Sequence, residues 1–335
     1  MKKFLIYLPG FGISLLIAAF ARWIEASLPI HLIGGSVIAL FIGMLLNQIK
    51  KPSKLIQSGL KFTSKKVLKF SIVLLGASLS VGTILSIGRL SLTVMVFTLL
   101  TCFGCGYFVG KWLGLDWKLS NMISAGTGIC GGSAIAAMAP VIKAEDKDIA
   151  YAMSATFLFD MAMIVLFPIM GRAMGLSDMA YGLWAGTAVN DTSSVVAAGY
   201  AFSEAAGDFA TMVKLTRTLS IIPTVIIFSI ISAKIDDSAE SNVKSFKLTS
   251  LFPWFILAFI GMSVMNSLGL IPLGLSTGMK NVSKFLMVSA LAAIGMNTDF
   301  QEMKQSGISP MVHGFIISAL LVIVAIAVEY FMGLI

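Results

Sequence analysis

Ala185-Gly-Thr-Ala-Val-Asn-Asp-Thr-Ser-Ser-Val-Val-Ala-Ala198 lies in the middle of an apolar segment that runs from Tyr181 to Phe202. Between Thr187 and Ser194 it carries a carboxylate, an amide and four hydroxyls. A carboxylate at bilayer depth is costly, so it is kept where it pairs or lines a wet cavity. Sixty residues earlier stands a relative, Ala125-Gly-Thr-Gly-Ile-Cys-Gly-Gly-Ser-Ala-Ile-Ala-Ala137. The shared frame is A-G-T-x-(I/V)-x-x-x-S-x-(I/V)-x-A, and Asp148 and Ala150 likewise precede Asp208 and Ala210 by sixty residues. Paired Gly/polar interruptions in apolar segments point to a transporter's binding site. Small residues also recur in membrane helices simply because they pack closely. That reading suffices for the first stretch alone, but packing does not require Asn190-Asp191.

The 335 residues are 57% hydrophobic and 12% charged, with a mean hydropathy of +0.93. Soluble domains rarely read this way. Apolar runs of about 20 residues, each long enough to cross a bilayer, recur throughout. The expected fold is an all-α polytopic membrane protein, not a β-barrel, whose strands would alternate over shorter segments. The net charge of +8 does not imply nucleic-acid binding, because the lysines fall between apolar runs. Cys102, Cys105 and Cys130 all lie in apolar segments. Cys102-Phe-Gly-Cys105 lacks the further ligands of a zinc site, so neither a metal nor a cofactor is expected. Met-Lys-Lys followed by an apolar run reads as a first membrane anchor.

Eleven spans are expected, near 4–21, 30–47, 67–88, 91–113, 120–142, 147–171, 178–201, 208–233, 250–270, 281–298 and 309–332. They form one integral domain, with 1–47 as scaffold, 67–233 as a first repeat with its core, and 250–335 as a second. With the N-terminus inside, sixteen of the 24 Lys and Arg fall on the cytoplasmic side, six on the other, and Lys214 and Arg217 within a span. The positive-inside rule favours that orientation. The Lys-rich stretch 48–66 reads as a surface-lying amphipathic segment or a solvated loop, and 234–249 as a cytoplasmic loop.

A second echo pairs Leu75-Gly-Ala-Ser-Leu-Ser-Val81 with Ile294-Gly-Met-Asn-Thr-Asp-Phe300, each with a further glycine twelve residues after its first, Gly88 and Gly307. Spans three and ten run in opposite directions, as an inverted repeat requires; chance similarity is the alternative. The two A-G-T stretches, in spans five and seven, run the same way by this count. They face each other as inverted elements only if one is re-entrant or the count is off by one. Backbone broken at membrane depth must be buried or line water, and Gly131-Gly132 suits such a break.

The intramembrane charges are Asp160, Asp191, Lys214 and Arg217. Lys214 and Arg217, three apart, share one helical face; near Asp191 they leave a positive surplus that an anion would neutralise. Arg suits a two-pronged contact with an oxyanion. Alternatively both cations snorkel to the interface. Asp299, with Asn297 and Thr298, reads as a helix-end cap or a further site. His313 reads as a packed or interfacial histidine. An enzyme is not expected: no H-E-x-x-H or phosphate-binding loop occurs, and Ser78 with His313 makes only a forced intramembrane protease.

At Gly126-Thr-Gly-Ile-Cys-Gly-Gly-Ser-Ala-Ile-Ala-Ala137, Ala188-Val-Asn-Asp191 and Lys214-Leu-Thr-Arg-Thr-Leu219 the chain resembles the YeiH family, formerly UPF0324, described as candidate sulfate exporters of bacterial inner membranes. The likeness covers roughly residues 10–330. It implies kinship with the cation:proton antiporter and anion transporter superfamily, whose inverted repeats cross discontinuous helices in an elevator-like core. Gly295-Met-Asn-Thr-Asp299 looks like that superfamily's glycine-then-acid segment, and Asn190-Asp191 is similar to the Asn-Asp pair of its electroneutral sodium/proton exchangers. The chain departs from the pattern by ending one span after Asp299, which leaves the second crossing helix to come from elsewhere.

The expected function is secondary transport of a small anion, sulfate or a sulfonate, exported through alternating access and coupled to a proton or sodium. Substrate would contact Thr127, Gly128, Cys130, Gly131, Gly132, Ser133, Thr187, Asn190, Thr192, Ser193, Ser194, Lys214 and Arg217. Asp191, with Asn190 and Asp160, would carry the coupling ion; Asn297 and Asp299 are secondary candidates. A sodium/proton antiporter on the same scaffold is the alternative, and a non-transporting scaffold protein the third. The bilayer and a second copy of the chain are the expected partners.

Overall fold

The computed structural model describes residues 6–27, 35–235, 254–298 and 307–335. Asp299, the stretch 236–253 and the first five residues lie outside them. Every regular element among the described residues is helical: α1 (Leu8–Ser27), α2 (Gly35–Ile49), α3 (Lys54–Phe62), α4 (Leu68–Gly76), α5 (Val81–Trp112), α6 (Trp117–Ala125), α7 (Gly132–Met138), α8 (Asp146–Ala173), α9 (Asp178–Ala188), α10 (Thr192–Phe202), α11 (Glu204–Thr218), α12 (Ile221–Ile235), α13 (Trp254–Ser267), α14 (Leu273–Asn297) and α15 (Ile308–Phe331). π-Helical turns join α3 to α4 (Thr63–Val67) and extend α6 (Gly126–Cys130). Five stretches, Leu8–Ser27, Val81–Trp112, Lys147–Ala173, Glu204–Ser232 and Ile308–Phe331, are long and apolar enough to cross a membrane. This is a polytopic helical membrane architecture.

The chain divides into two compact units. The first takes in Met1–Ile87, Val196–Gly207 and Trp254–Phe300; the second takes in the rest. In the first unit α14 packs on α1, α2 and α4, and α13 on α4. Glycine decides how close these helices come. A Cβ on Gly43 would overlap the carbonyl oxygen of Ala292, and one on Gly295 that of Leu40. Thus α2 and α14 touch backbone to backbone, as small residues permit in membranes. Gly76 meets the Phe259 carbonyl in the same way. The two echoed glycines, Gly76 and Gly295, are therefore both points of helix contact. Their followers differ: Gly88 sits inside α5, whereas Gly307 takes φ +78° before α15.

Three expected boundaries move. The turn expected at 89–90 lies at Ala77–Ser80, and α5 runs unbroken through Arg89. Serine hydroxyls supply the caps there: Ser78 Oγ donates to the Leu75 carbonyl, Ser80 Oγ accepts from the Thr83 amide and Ser267 Oγ from the Val81 amide. Arg89 offers no such cap and is a good helix former. Within the stretch 48–66 only residues 50–53 are irregular; from Lys54 to Gly76 the chain is continuously helical, and it buries Leu60. The spans expected at 120–142 and 178–201 are both interrupted, at Gly126–Gly131 and at Val189–Asp191.

Gly295→Leu is expected to lower stability by about 1–3 kcal/mol through overpacking, read as the melting midpoint in detergent. Gly278→Ala, in the same helix but facing open space, is the control and should leave the midpoint unchanged or raise it by the helix preference of Ala over Gly, about 0.5–1 kcal/mol.

Candidate functional site

The direction of each helix in the second unit follows from its contacts with α15. Ala155 packs on Gly314, and the Phe159 ring meets Phe315. Further along, Phe167 stacks on Trp184, whose Nε1 donates to the Val322 carbonyl at 3.0 Å. So α8 runs parallel to α15, and α9 runs against it, because Asn190 Nδ2 reaches Ser318 Oγ at 3.2 Å. The α6 segment enters beside the start of α15, with Ser120 Oγ 3.2 Å from His313 Nε2. The chain returns to the same side, since Lys118 Nζ donates to the Lys143 carbonyl at 3.1 Å. The first A-G-T segment is thus a re-entrant hairpin. The second enters from the opposite side. Gly186 packs on Ala210 and Val213 and Val189 meets Lys214, so α11 runs parallel to α9. By Glu204 the chain has therefore doubled back. The two stretches are inverted with respect to each other, which corrects the equal directions read from the span count: neither crosses.

The repeat frame survives in the geometry. Helix resumes at Gly132 in one copy and at Thr192 in the other, sixty residues on. Gly131 and its counterpart Asp191 touch: a Cβ on Gly131 would stand 2.9 Å from both Cβ and Oδ1 of Asp191. Gly131 also adopts φ +65°, ψ −137°, open only to glycine without strain.

Two cations close the broken ends. Lys214 Nζ donates to Ile129 O at 2.8 Å and Val189 O at 3.0 Å. Arg217 donates to Thr127 O and Gly128 O, both at 2.6 Å, and to Thr187 O. Each cation thus bridges equivalent carbonyls of the two repeats, 129 with 189 and 127 with 187. Broken helices leave their last carbonyls without partners and carry partial negative charge there; the cations answer both needs. Lys214 and Arg217 are fully buried, so neither snorkels. Nor does Arg217 present its fork to an oxyanion, because that fork is engaged by backbone.

The opposite end is loaded with carboxylates. Asp160, on α8 and 1% exposed, accepts the amides of Asn190 at 2.9 Å and Asp191 at 2.8 Å. Asp191 Oδ2 accepts the Ser193 amide at 2.9 Å and the Ser193 hydroxyl. Both charges sit at the start of α10, where the helix dipole favours them. Two cations and two carboxylates thus share one centre.

The expected site residues are brought together, but not all in the expected roles. Ser133 is exposed, and Gly132, Asp191 and Thr192 are half-buried. Cys130 Sγ lies 2.9 Å from Ser133 Oγ. Thr187 spends its hydroxyl on its own helix, at Leu183 O and Trp184 O. Ser193 and Ser194 are buried. Thr127 Oγ1 and Asn190 Oδ1 are buried with no hydrogen-bond partner among the described residues. Asn297 belongs to the first unit, at the end of α14. Sequence reading missed Ser318, which lies in an apolar run with nothing to mark it.

Residues 9–314 match a family model described as "Conserved hypothetical protein 698". A UPF0324 membrane protein of Clostridium tetani is 51% identical over 337 residues, covering 98% of both chains. One from Streptococcus pyogenes is 38% identical over the full length of both, and one from Fusobacterium nucleatum 38% identical over 90% of this chain and 92% of its own. The chain belongs to the UPF0324 family of membrane proteins. In this UPF0324 chain both hairpins, both cations and both carboxylates fall inside the matched range.

Arg217→Met or Lys214→Met is expected to cost about 3–5 kcal/mol, since it strands buried carbonyls and an unbalanced carboxylate. Thr187→Val, which removes one local hydroxyl bond, should cost about 1 kcal/mol. Melting midpoints of the purified variants compare them.

Proposed function

We propose that this protein is a secondary transporter of a small anion, of the sulfate or sulfonate class, with Asp191 carrying the coupling proton or sodium. The observation that carries the reading is the charge arrangement where two inverted re-entrant hairpins meet. Lys214 and Arg217 are immobilised on backbone, Asp160 is buried against two amides, and Asp191 alone of the four is half-exposed. With both carboxylates ionised the centre is neutral. When Asp191 is neutralised by a proton, one positive charge is in excess, beside the hydroxyls of Ser133 and Thr192. An anion then restores the balance, so the two ligands favour each other. Access alternates as the hairpins become exposed to one side or the other.

Orientation follows the positive-inside rule. Lys111, Lys118, Lys143, Lys147 and Lys234 lie at the side from which the first hairpin enters, against Arg172 and Arg89 towards the other. The first side is read as cytoplasmic, in a bacterial inner membrane with the N-terminus inside, and export as the direction.

Cation/proton exchange is the second reading. It is favoured by the engagement of both cations and by Asn190 Oδ1, an acceptor next to Asp191 in the chain that has no hydrogen-bond partner among the described residues.

Proteoliposomes with an imposed pH gradient test both readings. Sulfate or sulfonate flux that requires the gradient and falls about a hundredfold in Asp191→Asn is expected, within the usual range for a lost proton-transfer group. Sodium-evoked proton movement with no anion flux would replace the anion reading by the exchanger.

A further inference from the structure

Glu329 lies far along the apolar run of α15, eleven residues beyond Ser318. Its side chain is fully buried, and neither carboxyl oxygen has a hydrogen-bond partner among the described residues. Its position ties it to the hairpins. Ser318, Val322, Ala325 and Glu329 follow one another at helical spacing and form one stripe of α15. Ser318 accepts from Asn190 Nδ2, and the Val322 carbonyl accepts from Trp184 Nε1. Ala325 and Glu329 are both 0% exposed. Ser318 and Val322 set the inner part of this stripe against α9, which runs antiparallel to α15 and begins at Asp178 on the side opposite the lysines. At 1.5 Å per residue it runs about 16 Å from Ser318 to Glu329. The seam therefore has an unpartnered buried oxygen at each end: Asn190 Oδ1, beside Asp160 and Asp191, and the Glu329 carboxyl group.

The outer end of the seam is also the end of its helix. Tyr330 and Phe331, the next two residues, are 67% and 87% exposed, and the helix ends there. At that level the helices packed on α15 carry Arg172 at the end of α8 and Asp178 and Tyr181 at the start of α9; α5 carries Arg89 in its first turns. None donates a hydrogen bond to Glu329. At the other end of the same helices stand Lys118 on α6, Lys147, Asp148 and Tyr151 on α8, and His313 on α15; Cys130 lies in the π turn. An ionised carboxylate without donors is costly in such surroundings. The ligand that meets this carboxyl group without a protein donor is a proton.

We propose that Glu329 is a proton-binding residue, placed at the outer mouth of the α9–α15 seam to exchange protons between that side and the Asp160–Asp191 centre. Its coupling role rests on the transporter reading; its proton binding does not. Separate measurements therefore test the two. The first is the infrared difference spectrum of the purified protein between acidic and alkaline buffer. A carboxylic C=O band at the position typical of apolar surroundings should disappear as pH rises. It should be missing from Glu329→Gln and kept in Asp160→Asn and Asp191→Asn. Identical difference spectra for wild type and Glu329→Gln would overturn the proton site. This result does not depend on finding any transported solute.

The second measurement is the pH profile of flux in proteoliposomes. Glu329→Gln and Glu329→Leu should flatten it by about tenfold, inside the range for coupled sites, and Glu329→Asp should restore part of it. A wild-type profile in Glu329→Leu would sink the coupling role while transport itself stands. Absence of flux in the wild type would sink the transporter reading instead, with the infrared band still deciding the proton site.

Discussion

The second unit depends on one arrangement, two buried cations clamped on the carbonyl ends of two broken helices. An interrupted helix inside a membrane has neither water nor a neighbouring turn to satisfy its last carbonyls. Lys214 and Arg217, one turn apart on α11, satisfy five of them across both hairpins. Because each cation takes equivalent carbonyls from both copies, it also sets the register of one hairpin against the other. The desolvation of two charges is offset only by this number of donors in good geometry and by the carboxylates nearby. Remove the clamp, and the Gly131–Asp191 contact loses the cation bridges that join the two hairpins.

The two carboxylates complete the scheme from the other direction. Asp160 holds the backbone where α10 begins, and Asp191 folds back on its own helix start through Ser193. Negative charge thus lies at a helix start and positive charge at helix ends, each where the dipole welcomes it. What distinguishes Asp191 is exposure. It is the one member of the four that is not fully buried. The first unit is built on a different principle, with glycine backbones touching at Gly43 and Gly295.

Much of this was legible in the sequence. The sixty-residue frame marked both hairpins and the equivalent positions that now face each other. Gly131-Gly132 marked a break, and Asp160, Asp191, Lys214 and Arg217 marked the centre. The roles were harder to read. Arg217 invites an oxyanion contact on its chemistry, but which acceptor it meets is set by where the carbonyls of residues 127, 128 and 187 arrive. Thr187 looks like a substrate hydroxyl, yet it turns back onto its own helix. A turn at Ala77–Ser80 lost to one at Arg89 because hydropathy weighs a charge more than a cap.

The sequence by itself determined the class of fold, the family and the four charges of the centre, because charges set in apolar runs leave marks that packing does not hide; Glu329, as deeply buried in its own apolar run, emerged only from the tertiary structure. The tertiary structure alone decided that both A-G-T segments are re-entrant and opposed. A hairpin of two short helices and a single crossing helix have the same length and hydropathy. They differ only in whether Lys118 returns to Lys143 or faces the other side of the membrane.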